Sequence, residues 1–203
     1  LNEALDKDQL VLRYQPIVAV DAADQQRSAI EGLVAMRDGD GREIPPGAFI
    51  PAAERYNLMG AVDRWVVSRV FRWLRDNHPR LGGLQRCFIN LSGQSIGQEK
   101  FLGFLVDELG KGGFPPDKLC FEITETAAVA NLSRTVLFIK ALKNYGCRFA
   151  LDDFGSGMSS FAYLKTLPLD YLKIDGNFVR DMVSDPIDRA MVQAIHQVGH
   201  VMD

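Results

Sequence analysis

The feature that most constrains the fold is an alternation of short apolar runs with segments of helical periodicity. Six runs have the length of β-strands, at residues 11–20, 28–36, 86–91, 118–124, 148–153 and 171–175. Several are apolar at consecutive positions, which is typical of strands buried on both faces. Strands that alternate with helices predict a parallel sheet with crossover helices. The sequence therefore predicts an α/β fold.

The segments between the strands show where the helices lie. In residues 61–77 the apolar side chains Val62, Val66, Val70 and Leu74 recur every fourth position, as on one face of a helix. Residues 100–109 and 132–145 have a similar pattern, and Gly146 follows the second as a C-terminal stop. A last helix is predicted to begin at Asp185 or Asp188, whereas Pro45-Pro46-Gly47 is interpreted as a loop.

The positions of the polar residues distinguish an open sheet from a closed barrel. No Gly-x-Gly-x-x-Gly turn follows the first strand, which argues against a dinucleotide-binding open sheet. Five polar residues lie at the C-terminal ends of predicted strands: Asn90, Glu122, Asp152, Asp153 and Asp175. In a (β/α)8 barrel, related to the TIM barrel, these ends share the face that carries the active site. We therefore expect such a barrel.

The number of predicted strands bears on domain organisation. Six strands are found where a barrel of this type has about eight, and the chain stops within its last predicted helix. We expect residues 1–203 to form a single domain that lacks its last one or two βα units and belongs to a longer protein.

Composition and charge exclude several functional classes. The chain is 47% hydrophobic and 24% charged with a net charge of −3, and no basic block predicts binding to long nucleic acid or to a membrane surface. No apolar stretch approaches a membrane span, and no signal peptide is recognisable. The three cysteines are interpreted as buried free thiols in a reducing compartment. We expect a cytoplasmic domain, either free or as the cytoplasmic part of a membrane-anchored signalling protein.

The carboxylates suggest a chemistry. Asp152-Asp153 precedes a glycine-rich loop, and such a pair alone is more often a cap or a solvated turn than a metal site. Other strand ends supply matching oxygens from Glu31, Asn90 and Glu122, and this hard ligand set suits Mg²⁺ or Mn²⁺. A carboxylate that bridges two ions would create a two-metal hydrolytic centre. Lys173 on the next strand could assist the nucleophile or neutralise the acids, and these two roles are compatible.

Six short motifs in this order and spacing resemble the EAL family, over a match from about residue 10 to the chain end. They are Tyr14-Gln15-Pro16-Ile17-Val18, Glu31-Gly32-Leu33, Asn90-Leu91-Ser92, Glu122-Ile123-Thr124-Glu125, Asp152-Asp153-Phe154-Gly155-Ser156-Gly157 and Lys173-Ile174-Asp175. The resemblance implies a barrel whose first strand is antiparallel to the others. It also implies hydrolysis of cyclic di-GMP to the linear dinucleotide pGpG, with two Mg²⁺ or Mn²⁺ ions per site.

The resemblance also assigns roles by position. The first ion would bind Glu31, Asn90, Glu122 and Asp152, and the second would bind Asp152 and Asp153. The catalytic group would comprise Glu31, Asp152 and Lys173, with Lys173 contacting the attacking water. Substrate would contact Gln15, Leu33 and Asp175, while Glu125 would brace the loop after Asp152-Asp153. A homodimer, and fusion to sensory or GGDEF domains, are expected from the family.

This sequence departs from the family pattern at three places. Gly32 replaces the usual Ala, and Ala35 stands where active members carry an Arg that contacts a substrate phosphate. Arg37 lies nearby, but we expect it in a different environment on the strand. A further metal-binding Glu and a Gln of the last two strands are not found. These departures keep open a second hypothesis, a cyclic di-GMP receptor without catalysis, and a third, a structural module that binds no nucleotide.

His196 and His200 have the spacing of a zinc-binding pair, four residues apart on one predicted helix. No third ligand accompanies them in the sequence, so we interpret them as part of a solvated helix end.

Overall fold

A computed structural model describes residues 4–5, 9–20, 28–77, 80, 82–155, 157 and 161–202. These residues form one seven-stranded sheet with helices between its strands. The strands are β1 (Leu10–Ile17), β2 (Ser28–Arg37), β3 (Glu43–Ile44), β4 (Leu84–Asn90), β5 (Leu119–Thr124), β6 (Arg148–Phe154) and β7 (Tyr171–Ile174). The helices are α1 (Pro46–Arg55), α2 (Met59–Asn77), α3 (Gly93–Ile96), α4 (Glu99–Gly110), α5 (Glu125–Ala130), α6 (Leu132–Lys143), α7 (Gly176–Asp181) and α8 (Pro186–Val201).

The sheet has the strand order β1-β2-β4-β5-β6-β7, with β3 paired to β2. β1 is antiparallel to β2, whereas β2, β4, β5, β6 and β7 are parallel to their neighbours. All six predicted strands are therefore present, and the antiparallel first strand is confirmed. The carboxyl ends of the parallel strands meet at one end of the sheet, which we call the mouth.

The two faces of the sheet have different partners. The main core lies between the sheet and the helices, and its largest fully buried side chains are aromatic: Phe71, Phe101, Phe121, Phe149 and Phe154. A smaller cluster of Phe88, Cys120 and Ala150, packed with Ala29, marks the inner face. Because side chains alternate along a strand, the residues two positions further towards the mouth also face inwards.

Helix predictions were confirmed, with small differences at the ends. The helix predicted at residues 132–145 ends at Lys143, and Gly146 follows with a φ of 93°, as its role of C-terminal stop requires. Asp185 caps α8 by accepting hydrogen bonds from the backbone N–H groups of Ile187 and Asp188. Cys87, Cys120 and Cys147 are buried free thiols, as predicted.

Two predictions were wrong. Pro45-Pro46-Gly47 is not a loop throughout, because Pro46 occupies the first turn of α1, where a missing backbone N–H costs nothing. The first strand ends at Ile17 rather than at residue 20. Within the described ranges, no helix is long and apolar enough to cross a membrane.

Candidate active site

Five predicted site residues come from five neighbouring strands and point into the mouth. They are Glu31 on β2, Asn90 at the end of β4, Glu122 on β5, Asp152 on β6 and Lys173 on β7. Register explains the convergence: Asn90 lies opposite Glu122, and Thr124 lies opposite Asp152. The parallel sheet thus collects residues that are up to 142 positions apart in the chain.

Lys173 is at the centre of this group. Its Nζ lies 2.7 Å from Oε1 of Glu122, 3.3 Å from Oδ1 of Asp152 and 3.4 Å from Oε2 of Glu31. Burial alone would lower the pKa of Lys173, but the adjacent carboxylate of Glu122, with the charges of Asp152 and Glu31, raises it above its ordinary value. The ammonium group therefore stays protonated at neutral pH.

Asn90 orients the first carboxylate. Its Nδ2 donates a hydrogen bond of 2.8 Å to Oε1 of Glu31, which leaves Oε2 of Glu31 facing Lys173. The carbonyl oxygen of the Asn90 amide is of the type that can serve as a neutral ligand to Mg²⁺ or Mn²⁺.

The surroundings of Glu122 are the clearest structural indication of a cation site. It is 1% exposed, and neither carboxylate oxygen has a hydrogen-bond donor with acceptable geometry among the described residues, although Lys173 approaches one of them. Burial raises the pKa of Glu122 to about 8; Lys173 opposes this rise, while Glu31 and Asp152 add to it. A buried carboxylate without full compensation is costly unless a cation neutralises it.

The residues fit a divalent ion on two grounds. Both oxygens of Glu122 are without a sound hydrogen bond, and the Lys173 ammonium stands where a cation shared by three carboxylates would stand. With Lys173 in this position, no group of three His, Cys, Asp or Glu side chains among the described residues is arranged to hold a metal ion. The oxygen donors suit Mg²⁺ or Mn²⁺ rather than a softer metal.

Asp152 and Asp153 lie in an irregularity of the sheet. The pairing of β6 with β7 shifts register between Leu151 and Phe154, so the two acids form a bulge. Asp153 is exposed and has a φ of 52°, in the left-handed region that Asp tolerates better than most residues. Partial desolvation of its carboxyl group, followed by the charges of Asp152 and Asp175, raises the pKa of Asp153.

Glu125, at the start of α5, contacts the segment that follows β6. It is 2% exposed, and its Oε2 accepts a hydrogen bond of 3.0 Å from the backbone N–H of Gly155. Its Oε1 accepts one of 2.6 Å from the hydroxyl of Tyr163, a residue that sequence reasoning missed. Ser156, in the predicted loop motif, lies outside the described residues.

A cavity of about 560 Å³ opens beside the mouth and has Leu33 and Asn90 in its wall. The unpredicted helix α1 contributes Pro46, Ile50 and Glu54. The lining is mostly apolar, so this space suits a largely apolar group.

The wall of the cavity also contains a buried acid that sequence reasoning missed. Asp63 on α2 is 4% exposed, and its Oδ2 accepts hydrogen bonds from the backbone N–H and the hydroxyl of Ser92, at 3.0 and 2.6 Å. Burial raises the pKa of Asp63, and the hydrogen bonds from Ser92 and Ser95 oppose that rise. Its spacing within an apolar helical stripe gave no signal of this contact.

The remaining predicted residues have separate surroundings. Gln15 is exposed on β1 directly opposite Glu31. Asp175 is 8% exposed and caps α7 by accepting a hydrogen bond of 2.7 Å from the backbone N–H of Asn177. Our expectation for Arg37 was wrong in one respect: two residues from Ala35, it shares the inner face, and it lies 3.9 Å from Glu43.

The His196 and His200 rings lie 4.3 Å apart on exposed positions of α8. The exposure of both side chains agrees with the interpretation of a solvated helix end.

Comparison with known proteins gives consistent matches. The family model of the EAL domain matches residues 1–203. The chain is 40% identical over 202 residues to cyclic di-GMP phosphodiesterase PdeB of Shewanella oneidensis, covering 100% of this chain and 23% of that protein. It is 35% identical over 197 residues to cyclic di-GMP phosphodiesterase PdeA of Borreliella burgdorferi, covering 97% and 29%. The chain thus spans less than a third of these relatives.

Solved structures with the same fold include two complexes with cyclic di-GMP. The PaMucR phosphodiesterase complex has a TM-score of 0.90 and 30% identity, covering 99% of this chain and 81% of that one. The FimX EAL domain of Pseudomonas aeruginosa, bound to c-di-GMP, has a TM-score of 0.87 and 26% identity, covering 100% and 80%. The α/β fold predicted from the sequence is thus confirmed.

Proposed function

This chain belongs to the EAL domain family, and from that premise we propose that it hydrolyses cyclic di-GMP to linear pGpG with Mg²⁺ or Mn²⁺. One observation carries the proposal: Glu31, Glu122 and Asp152 converge on a single cation, the Lys173 ammonium. Relatives named as cyclic di-GMP phosphodiesterases support the choice of substrate.

The metal ligands in this proposal are Glu31, Asn90, Glu122 and Asp152 for one ion, and Asp152 with Asp153 for the other. Divalent ions held there would acidify a water for attack and neutralise charge on the phosphodiester. Burial of Glu122 keeps bulk water away from its carboxylate, and the hydrogen bond from Asn90 orients Glu31.

Lys173 is the proposed catalytic cation. Because its pKa is raised, it can donate a hydrogen bond to the attacking water or to a phosphate oxygen. Gln15, opposite Glu31, and Leu33, in the cavity wall, are proposed to contact the nucleotide, as is Asp175 at the end of β7. Glu125 is proposed to hold the segment after Asp152-Asp153 in place through Gly155.

The proposal extends to the wider context of the domain. Relatives several times longer than this chain support fusion to further domains, including sensory or GGDEF domains. We also propose that the domain forms a homodimer and is located in the cytoplasm. We propose in addition that it neither contacts a membrane directly nor binds long nucleic acid.

The test is incubation of the full-length protein with cyclic di-GMP in Mn²⁺ and, in parallel, in excess EDTA. We expect pGpG in Mn²⁺ and none in EDTA, measured by reversed-phase chromatography with mass detection. If the protein binds cyclic di-GMP but forms no pGpG, the result would favour a cyclic di-GMP receptor over an enzyme. If the protein showed no binding and no turnover of cyclic di-GMP, the hypothesis of a structural module would remain.

A further inference from the structure

The antiparallel strand β1 carries a guanidinium on the inner face of the sheet. Register places Gln15 opposite Glu31 and Arg13 opposite Leu33, and residues directly opposite each other share a face. The alternate residues face outwards: the ring of Tyr14 lies 4.7 Å from that of Trp73 on α2. Arg13 therefore shares the face of Glu31 and lies one inward position closer to the mouth.

A phosphate of the substrate that neither Lys173 nor the proposed metal ions contact would need another cation. A cyclic dinucleotide carries phosphodiester anions, whereas the inward positions here are dominated by Glu31, Glu122 and Asp152. Lys173 already contacts all three of these carboxylates. On the described strands, the other positive charges on the inner face near the mouth are Arg13 and Arg37.

Arg37 is less well placed than Arg13 to reach a phosphate bound next to Glu31. It is the last residue of β2, and its backbone N–H donates to the carbonyl oxygen of Gln9, above the level of Glu31. The inward neighbours of Arg13 on β2 are Leu33 and Ala35, which bring no charge of their own. Arg13 is therefore the cation best placed to reach a phosphate bound next to Glu31.

The partner of Arg13 in this conformation is Glu43 on the two-residue strand β3. Nε of Arg13 donates to Oε2 of Glu43 at 3.3 Å, and Nη2 contacts Oε1. The side chains are 57% and 36% exposed. Exposed ion pairs of this kind are weak, so the guanidinium can exchange Glu43 for a phosphate, which it binds through two parallel hydrogen bonds.

We propose that Arg13 binds a phosphate of the nucleotide substrate and that Glu43 holds its guanidinium near the mouth until substrate arrives. This inference rests on the proposed function, because it concerns the cyclic di-GMP site. It makes Arg13 a substrate-binding residue contributed by the antiparallel strand.

The test compares steady-state kinetics and calorimetric binding of cyclic di-GMP in the full-length protein and its variants. Arg13→Ala is expected to raise KM and Kd by about 10- to 100-fold, the range for loss of a charge-assisted hydrogen bond, with kcat changed much less. Arg13→Lys, which keeps the charge but not the paired donors, should fall between Arg13→Ala and the wild type. Glu43→Gln should lower KM by up to about fivefold, because the competing carboxylate is gone.

The matched control is Arg42→Ala, which removes the same charge from the exposed turn between β2 and β3. It should change KM by less than about twofold, because screened charges outside the site contribute little. Arg13→Gln provides a second neutral variant in case Arg13→Ala melts at a lower temperature than the wild type.

The outcomes separate this inference from the proposed function. If the wild type cleaves cyclic di-GMP and both neutral Arg13 variants retain its KM and Kd, Arg13 is not a phosphate ligand, although the enzyme assignment stands. An equal effect of Arg42→Ala would also overturn the inference, since general charge would then explain it. If the wild type binds cyclic di-GMP but does not cleave it, the proposed function fails. The Kd of the Arg13 variants for cyclic di-GMP then still shows whether Arg13 binds a phosphate.

Discussion

At the scale of single residues, Lys173 explains how so many acids coexist in one small volume. Its ammonium contacts carboxylates of three other strands, and one of them, on Glu122, is almost fully buried. Like charges at such short separations repel strongly unless a cation lies between them. The ammonium group of Lys173 lies between these acids and performs that role.

Replacing Lys173 by Met should therefore make the stability of the protein depend on metal. In excess EDTA we expect Lys173→Met to melt at a lower temperature than the wild type, by about 2–4 °C for each kcal/mol lost. Mn²⁺ should raise the melting temperature of the variant more than that of the wild type, because the ion neutralises acids that have lost their counter-ion.

Differential scanning fluorimetry with Mn²⁺ titration measures both effects. Lys140→Met, on an exposed position of α6, is the matched control for loss of one positive charge. Identical melting curves for Lys173→Met and the wild type, with and without Mn²⁺, would contradict the role of Lys173 as counter-ion.

At the scale of elements, α5 and β6 are connected by a buried acid. Glu125 begins α5 directly after β5, so its position follows the end of that strand. It accepts hydrogen bonds from Gly155, just after β6, and from Tyr163. A carboxylate that satisfies a backbone donor and a hydroxyl at once connects the bulge at Asp152-Asp153 to the neighbouring helix.

Glu125→Ala should lower the free energy of unfolding by about 2–4 kcal/mol, since a buried hydroxyl and a partly buried backbone N–H lose their acceptor. Tyr163→Phe removes one of these bonds and should cost about 1 kcal/mol. Urea denaturation followed by far-UV circular dichroism measures both. A cost for Glu125→Ala no greater than for Tyr163→Phe would show that the bond to Gly155 contributes nothing.

The elements also show what the sequence could and could not predict. Periodicity and strand-end positions sufficed for the six main strands. The signal is clearest for β5 and β6, where burial on both faces leaves continuous apolar runs. Helix α1 was missed because Pro46 and Pro51 resemble loop punctuation. Pro46 lies in the first helical turn, where proline is acceptable, whereas Pro51 lies inside the helix. The bulge at Asp152-Asp153 and the contacts of Tyr163 and Asp63 depend on tertiary pairing, which local sequence does not record.

At the scale of the whole molecule, the two ends of the sheet have different electrostatics. At the mouth, acids outnumber the cations that contact them. At the opposite end, Asp170 is paired with Lys143 at 2.9 Å and Arg148 at 2.7 Å, and also accepts from the backbone N–H of Phe149. Burial would raise the pKa of Asp170, but these hydrogen bonds and charges hold it below its ordinary value. We therefore expect the contacts of Asp170 at this end of the sheet to stabilise the fold.

Because the folded pKa of Asp170 is lowered, its contribution to stability is present above the unfolded pKa of about 3.9 and is lost as pH falls through the folded value. Asp170→Asn should cost about 1–3 kcal/mol at pH 7, allowing for the partial exposure of both cations. The difference between wild type and variant should shrink below about pH 4. KM for cyclic di-GMP should not change.

Urea denaturation at a series of pH values measures this, with Asp107→Asn on the exposed side of α4 as the control. A wild-type advantage over Asp170→Asn that is constant from pH 7 to about pH 3 would exclude a lowered pKa as its origin.

The central claim is that the carboxylates around Lys173 form a metal-dependent phosphodiesterase site. The most direct measurement is the rate of pGpG formation in Mn²⁺ by the full-length wild type, by Asp152→Asn and by the control Asp107→Asn, with melting temperatures recorded for each. We predict that Asp152→Asn loses at least about 100-fold in kcat without melting at a lower temperature, whereas Asp107→Asn behaves as the wild type. Wild-type turnover by a correctly folded Asp152→Asn variant would contradict the claim.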